Sequence, residues 1–201
     1  MTIAIITGSN RENSESARVG RFIVQNLAKI SDQIQVQTVD LHQTPLPLFD
    51  SSDQSSHQNI AEIKTKLLAS DGFVVISPEW NGSIPPALKN FFYSFDNPEF
   101  GHKPALIVAV SSGRGGAFVV NELRSTNYKN NHICYIPEQV IVREVNSLVL
   151  DLDILENSKV EQFIHDRFDY SLRVLVVYTQ ALAKVRESGV VDFARFGNGM
   201  S

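Results

Sequence analysis

The sequence predicts an α/β domain, a five-stranded parallel sheet of order 2-1-3-4-5 covered by helices on both faces. Three observations lead there. Short apolar runs alternate with longer segments whose apolar residues recur at helical spacing. Three of the runs, 2–7, 72–77 and 104–112, are apolar nearly throughout, as strands buried on both faces of a parallel sheet must be. A fourth, IQVQTVDL at 34–41, alternates apolar with polar residues, which suits an edge.

TIAIIT, Thr2 to Thr7, is the first strand. Residues 16–30 follow as a helix with Val19, Ile23, Leu27 and Ile30 on one face, and 34–41 is strand 2. After the polar stretch HQTPLPLFDSSDQSS, residues 58–70 place Ile60, Ile63, Leu67 and Leu68 at helical spacing. GFVVIS at 72–77 is strand 3. The next helix, 85–96, opens on two prolines, where a helix start tolerates them. It carries Leu88, Phe91, Phe92 and Phe95 on one face and ends at Asn97-Pro98. PALIVAVSS is strand 4, and 116–128 is a helix with Val119, Val120 and Leu123 on one side. Residues 132–142 contain strand 5. The last helix runs from about 159 to 187, with Ser158 and Glu161 at capping-box spacing and Gly189 to cap its end. Its stripe is Phe168, Leu172, Leu175, Tyr178, Leu182 and Val185. Residues 1–189 thus form one domain, and 190–201 a tail whose Phe193 and Phe196 dock on this chain or on a neighbour. This order is that of the flavodoxin-like three-layer sandwich, whose ligand crevice lies where strands 1 and 3 diverge.

Bulk properties exclude several classes. A net charge of −4 with no basic run argues against nucleic acid or anionic membranes as partners. The single cysteine, Cys134, permits no internal disulfide and no CxxC pair, and is expected as a buried core thiol. Histidines 42, 57, 102, 132 and 165 lack the i, i+4 spacing of metal ligands, so no metal site is expected. No apolar run reaches the ~18 residues of a membrane span, and a strand from residue 2 leaves no room for a signal peptide. The expectation is a cytoplasmic protein.

Function has to come from the strand ends. After strand 1 stands GSNRENSES, 8–16, leading into a helix N-terminus with its unpaired N–H groups and partial positive charge. With hydroxyls from Ser9, Ser14 and Ser16 and the guanidinium of Arg11, it is a candidate phosphate cradle. An ordinary helix cap and surface turn is the other reading. It contains no GxGxxG and no GK(S/T), so neither a dinucleotide pyrophosphate nor a nucleoside triphosphate is its expected ligand. After strand 3 come Pro78, Glu79, Trp80, Asn81 and Gly82, a carboxylate, a ring and an amide beside a glycine that permits positive φ and close approach of a flat ligand. An exposed turn anchored by Trp80 is the alternative, and Ser83 would cap the next helix. After strand 4 come Ser112, Gly113, Arg114 and Gly115, whose N–H groups can face an electron-rich ligand edge. No acidic cluster follows strand 1 and no aspartate ends strand 3, which excludes a phosphotransfer receiver.

These three stretches together resemble the NADPH-dependent FMN reductase family. Gly8, Ser9, Arg11 and Ser14 match its pattern after strand 1. PEWNGSIPPALKN, 78–90, matches its most specific motif at every fixed position but Trp80, where tyrosine is usual. Ser111, Gly113, Gly115 and Gly116 match after strand 4, and DLHQTPLPLFD, 40–50, looks like its segment after strand 2. The resemblance covers roughly residues 1–142. It implies bound FMN, with Ser9, Arg11, Ser14 and Ser16 on the phosphate. Pro78, Glu79, Trp80, Asn81 and Gly82 would border the isoalloxazine, and Ser112, Gly113, Arg114 and Gly115 its pyrimidine side. NADPH or NADH would give hydride to the flavin, and a small-molecule acceptor (quinone, azo dye, metal ion or free flavin) would take the electrons in a second half-reaction. No side chain is implied as a catalytic acid or base. An FMN-binding electron carrier or sensor without useful turnover is the alternative. The family's helices after strand 3 pair subunits, so a homodimer or homotetramer is expected, although Tyr93 and Ser94 depart from its usual aspartate and aromatic there.

Overall fold

Strict alternation of side-chain direction along a strand explains the all-apolar runs. In the computed structural model, which describes residues 1–50, 52, 54, 56–152 and 159–197, both faces of the sheet are covered. The strands are β1 (Thr2–Thr7), β2 (Gln35–Asp40), β3 (Gly72–Pro78), β4 (Pro104–Val110) and β5 (Cys134–Val142). All pair in parallel, in the order β2-β1-β3-β4-β5. Ile3, Ile5, Val74, Ile76, Leu106 and Val108 point to one face, against α1 (Glu15–Ile30) and α6 (Lys159–Glu187). Ala4, Ile6, Phe73, Val75, Ala105 and Ile107 point to the other, against α2 (Gln58–Leu68), α3 (Pro86–Ser94), the single turn α4 (Asn97–Phe100) and α5 (Ala117–Ser125). Every residue of β1, β3 and β4 that alternates thus finds a core on either side. β2, at the edge, buries Val39 alone.

The sequence expectation fails at one boundary. Asn97-Pro98 does not end a helix but opens one. Helix α3 stops at Ser94, and the Asp96 carboxylate accepts the Asn97 N–H at 2.9 Å. Glu99 Oε2 reaches back to the Asp96 N–H at 3.0 Å, completing a capping box with Pro98 in the first turn. The apolar row of α3, which the sequence leaves open to core packing or to pairing of subunits, is used within the chain. Leu88, Phe91, Phe92 and Phe95 are all buried, and the Phe91 ring lies 5.0–5.9 Å from those of Phe92, Phe95 and Phe100. Its richness is accounted for without a second subunit. Cys134 is half-buried rather than a core thiol, its Sγ 3.7 Å from the His132 carbonyl oxygen. In the tail, Phe193 docks on this chain, stacked on His102 at 5.6 Å and edge-on to His132 at 5.2 Å, while Phe196 stays exposed. Of the capping box expected before α6, Ser158 lies outside the described residues; Glu161 accepts the Val149 N–H at 2.9 Å. Among the described residues no helix is long and apolar enough to cross a membrane.

One buried charge makes the fold pH-dependent. The Lys103 ammonium donates to the Leu67 and Leu68 carbonyls at 3.0 and 3.4 Å, at the C-terminus of α2 where carbonyls lack helical partners. Burial first, and then the Arg186 guanidinium, push its pKa from 10.5 down to about 8. Between these two values the unfolded chain holds the proton more tightly than the folded one, so rising pH favours folding there. The urea midpoint of the natural chain should therefore climb relative to that of Lys103→Met between pH 8 and 10.5. A pH-independent difference between the two would refute this.

Candidate functional site

A parallel sheet places the loops after its strands at one end, and here neighbouring strands hold those loops. The Gly8 N–H donates to Ile76 O at 2.8 Å, the Glu79 N–H to Val110 O at 3.0 Å, and the Ser111 N–H to Val142 O at 2.9 Å. Gly8 tolerates no side chain, because a Cβ would lie 2.7 Å from Leu88 Cδ2 and 3.0 Å from Ile76 O.

The first loop ends in a helix cap. Ser14 Oγ accepts the Ala17 N–H at 3.2 Å, and Ser9 Oγ accepts the Arg11 N–H at 3.2 Å. A hydroxyl engaged as an acceptor keeps its own proton for a further partner. Ser16, in the first turn of α1, is 1% exposed, and its Oγ has no hydrogen-bond partner among the described residues. Such a group is costly unless something accepts from it. Ser9, Ser14 and Ser16 line one cleft beside the N-terminus of α1, a donor set suited to a phosphate.

The second loop is a tight turn. The Trp80 N–H donates to Ser83 O at 3.0 Å and the Ser83 N–H to Trp80 O at 3.1 Å. Between them Asn81 and Gly82 both have positive φ, 52° and 71°, the type I′ geometry that Asn-Gly favours. The freedom of Gly82 is used for this turn. Ser83 does not cap α3, contrary to expectation; Pro85 occupies that position. Its hydroxyl donates instead to Glu122 Oε2 at 2.9 Å, an oxygen that also accepts the Ile84 N–H at 2.9 Å, tying the turn to α5. The Trp80 ring carries the Arg11 guanidinium, 4.2 Å from its centroid, a cation–π contact across the cleft mouth.

The third loop is tied to the second. Glu79 Oε2 accepts the Gly116 N–H at 2.6 Å, and a Cβ on Gly115 would sit 2.5 Å from Glu79 Oε1. Arg143 Nε donates to Gly115 O at 3.1 Å, and the Glu144 N–H to Gly113 O at 2.8 Å.

One cleft of about 340 Å³ results, at the C-terminal ends of β1, β3 and β4. Ser9, Arg11, Ser14, Ser16, Pro78, Glu79, Trp80 and Ser112 line it. Asn81 and Gly82, at the tip of their turn, do not, nor do Gly113, Arg114 and Gly115. Glu12, Asn13, Glu15, Val110, Val145 and Asn146 also line it, unanticipated from the sequence. Glu12, Asn13 and Glu15 stand inside the quoted GSNRENSES. Val145 and Asn146, in a 3-10 turn over Val145–Ser147, carry no sequence signal. Arg18 puts them there, donating to Val145 O at 2.5 Å and Leu148 O at 3.0 Å while its Nε holds Glu15 at 2.7 Å.

A family model described as NADPH-dependent FMN reductase matches residues 1–147, which is every element that builds the cleft. The chain belongs to the NADPH-dependent FMN reductase family. An NADPH azoreductase of Bacillus sp. (strain OY1-2) is 29% identical over 168 residues, 83% of this chain and 88% of the relative. An NAD(P)H-dependent FMN reductase of Saccharomyces cerevisiae is 30% identical over 139 residues, 62% of this chain and 72% of the relative. Among solved structures, an NAD(P)H:(acceptor) oxidoreductase of Paracoccus denitrificans superposes with a TM-score of 0.65 at 19% identity, over 91% of this chain and 97% of that one. An FMN-dependent NADH-azoreductase of Bacillus anthracis, solved with FMN, gives 0.58 at 14% identity, over 87% and 98%. At such identities these two attest the fold. Family membership makes the chain an oxidoreductase that uses FMN and NADPH.

The Glu79–Gly116 bond predicts a graded response. Glu79→Ala leaves the Gly116 N–H without its acceptor and should lower stability by roughly 1–2 kcal/mol. Glu79→Gln, which keeps an acceptor oxygen, should lose less. Urea unfolding measures both, and equal losses would contradict the assignment.

Proposed function

We propose that the cleft at the ends of β1, β3 and β4 holds the FMN of this reductase, and that flat conjugated molecules, azo compounds or quinones, are its electron acceptors. The observation that carries the binding reading is the Ser16 hydroxyl, buried, partnerless and facing the cleft at the N-terminus of α1. Ser9, Ser14 and Ser16 donate to the phosphate, with the first-turn N–H groups beside them. Arg11, on the Trp80 ring, adds positive charge at the mouth and offsets Glu12 and Glu15. Pro78, Trp80 and Ser112 border the ring system. Within the third loop this favours Ser112 over Gly113, Arg114 and Gly115, and within the second Trp80 over Asn81 and Gly82.

FMN, when bound, supplies the redox chemistry, taking hydride from the nicotinamide donor and releasing electrons to the acceptor. The chain's part is position. Glu79, spent on the Gly116 N–H, is a positioning residue for the loops after β3 and β4 and moves no proton. Arg18 holds the wall formed by Val145 and Asn146. Trp80 is half-buried at the mouth, and Phe118, 64% exposed, lies beside Gly82. The Trp80 ring, which lines the cleft, suits stacking of a planar acceptor.

Titration of the apo-protein with FMN and with riboflavin separates the phosphate reading from the rest. Ser16→Ala should weaken FMN roughly tenfold, about 1.4 kcal/mol, and leave riboflavin nearly unchanged. Equal loss for both would overturn the phosphate assignment, and no FMN uptake by folded protein would overturn the site. NADPH oxidation with an azo dye or menadione should exceed the rate given by free FMN alone, and Trp80→Ala should raise KM for those acceptors.

A further inference from the structure

Arg11 lays its guanidinium on a ring rather than on a carboxylate. Its Cζ lies 4.2 Å from the centroid of Trp80, a cation–π contact that joins the loops after β1 and β3. Glu12 and Glu15 line the same cleft, yet neither pairs with Arg11 among the described residues. Glu15 is held by Arg18 instead, at 2.7 Å. The backbone beneath the contact is fixed on both sides. The Arg11 N–H donates to Ser9 Oγ at 3.2 Å, and His42 Nδ1 lies 3.2 Å from Asn10 O. Across the cleft the Trp80 N–H and carbonyl both pair with Ser83. The half-buried indole has less to hold it. Among the described residues no other ring or cation stacks on it, and no group accepts its N–H. Trp80 is also the one fixed position of PEWNGSIPPALKN, 78–90, that departs from the family motif, and tryptophan offers a cation the strongest of the aromatic faces.

We propose that Arg11 is a positioning residue for Trp80, a reading that rests on FMN and its acceptor sharing this cleft. The flat guanidinium takes one face of the indole and fixes the ring, and the other face meets the planar acceptor. A half-buried indole left to itself would sample several rotamers. Fixing it before the ligand arrives lowers the ordering cost of binding. Arg11 thus acts on whatever meets the ring and not on the FMN phosphate, for which Ser9, Ser14 and Ser16 stand beside the N-terminus of α1. Lysine replaces it only in part, because an ammonium carries the charge but has no plane to lie on the ring.

Trp80 is the single tryptophan of the chain, so the emission of the apo-protein reports on it alone. Arg11→Met should make that emission about twofold more open to acrylamide quenching, since the ring loses its cover. At saturating FMN the same substitution should raise KM for menadione roughly two- to fivefold and change kcat less, as expected of a cation–π contact at a partly exposed site. Arg11→Lys should recover part of that rise. In a Trp80→Leu background Arg11→Met should leave KM nearly unchanged, because the guanidinium has no ring to hold. FMN and riboflavin should lose affinity for the Arg11→Met protein to a similar degree. Unchanged quenching would overturn the proposal, as would the same rise in KM with Trp80 absent. So would complete recovery by lysine, or a loss confined to FMN, which would assign Arg11 to the phosphate. The quenching measurement needs no FMN, so it decides the role of Arg11 even where the folded natural chain takes up none and the cleft reading itself fails.

Discussion

The constraint from which the rest follows is that the three middle strands are buried on both faces. A strand in that position must be apolar at nearly every residue, so it has little room for chemistry along its length. Chemistry is confined to where the strand stops. Parallel direction then puts the stops of β1, β3 and β4 side by side, and continued backbone pairing past the last residues keeps them there. Gly8 on Ile76, Glu79 on Val110 and Ser111 on Val142 extend the sheet into its loops. A phosphate-sized group of donors and an aromatic mouth can be rigid because their roots are still hydrogen-bonded as strands.

The sequence makes the sheet legible because both of its signals are strong, unbroken apolar runs for the middle strands and alternation for the edge. The helices follow from the same periodicity, and most ends fall within two or three residues of the structure. What sequence could not supply is which polar side chain spends itself on which backbone group. Asn97-Pro98 looks like a stop, yet the Asp96 and Glu99 carboxylates make it a start. Ser83 looks like a cap, yet the Glu122 carboxylate, thirty-nine residues along the chain, takes its hydroxyl. Asn90, a fixed member of the motif after β3, bonds both to Pro47 O and to the Phe49 N–H, which explains why an amide stands there and has nothing to do with a ligand.

The site divides along the same line. Ser9, Ser14, Ser16 and Trp80, picked out as small hydroxyls and an aromatic at strand ends, all line the cleft, although Ser14 also has a structural use as the cap of α1. Glycines are harder, since each has a conformational use of its own. Gly82 serves a type I′ turn and Gly115 makes room for Glu79, so neither reaches the cleft. Val145 and Asn146 could not be found at all. They are ordinary residues whose place depends on Arg18, more than a hundred residues earlier, bonding two carbonyls at once.

The phosphate cradle is supported from behind by helix α6. Helix α1 presents its N-terminus to the cleft and its apolar stripe to α6, where Phe22 packs edge-on against Phe168 at 5.3 Å and against the His165 ring at 4.7 Å. The position of the Ser14 and Ser16 hydroxyls is therefore set by how α6 lies on the sheet. α6 in turn is fixed along its length by β3, β4 and β5, and near its start by Glu161 on the Val149 N–H. The packing that holds α1 against α6 is therefore also what holds the N-terminus of α1 at the cleft.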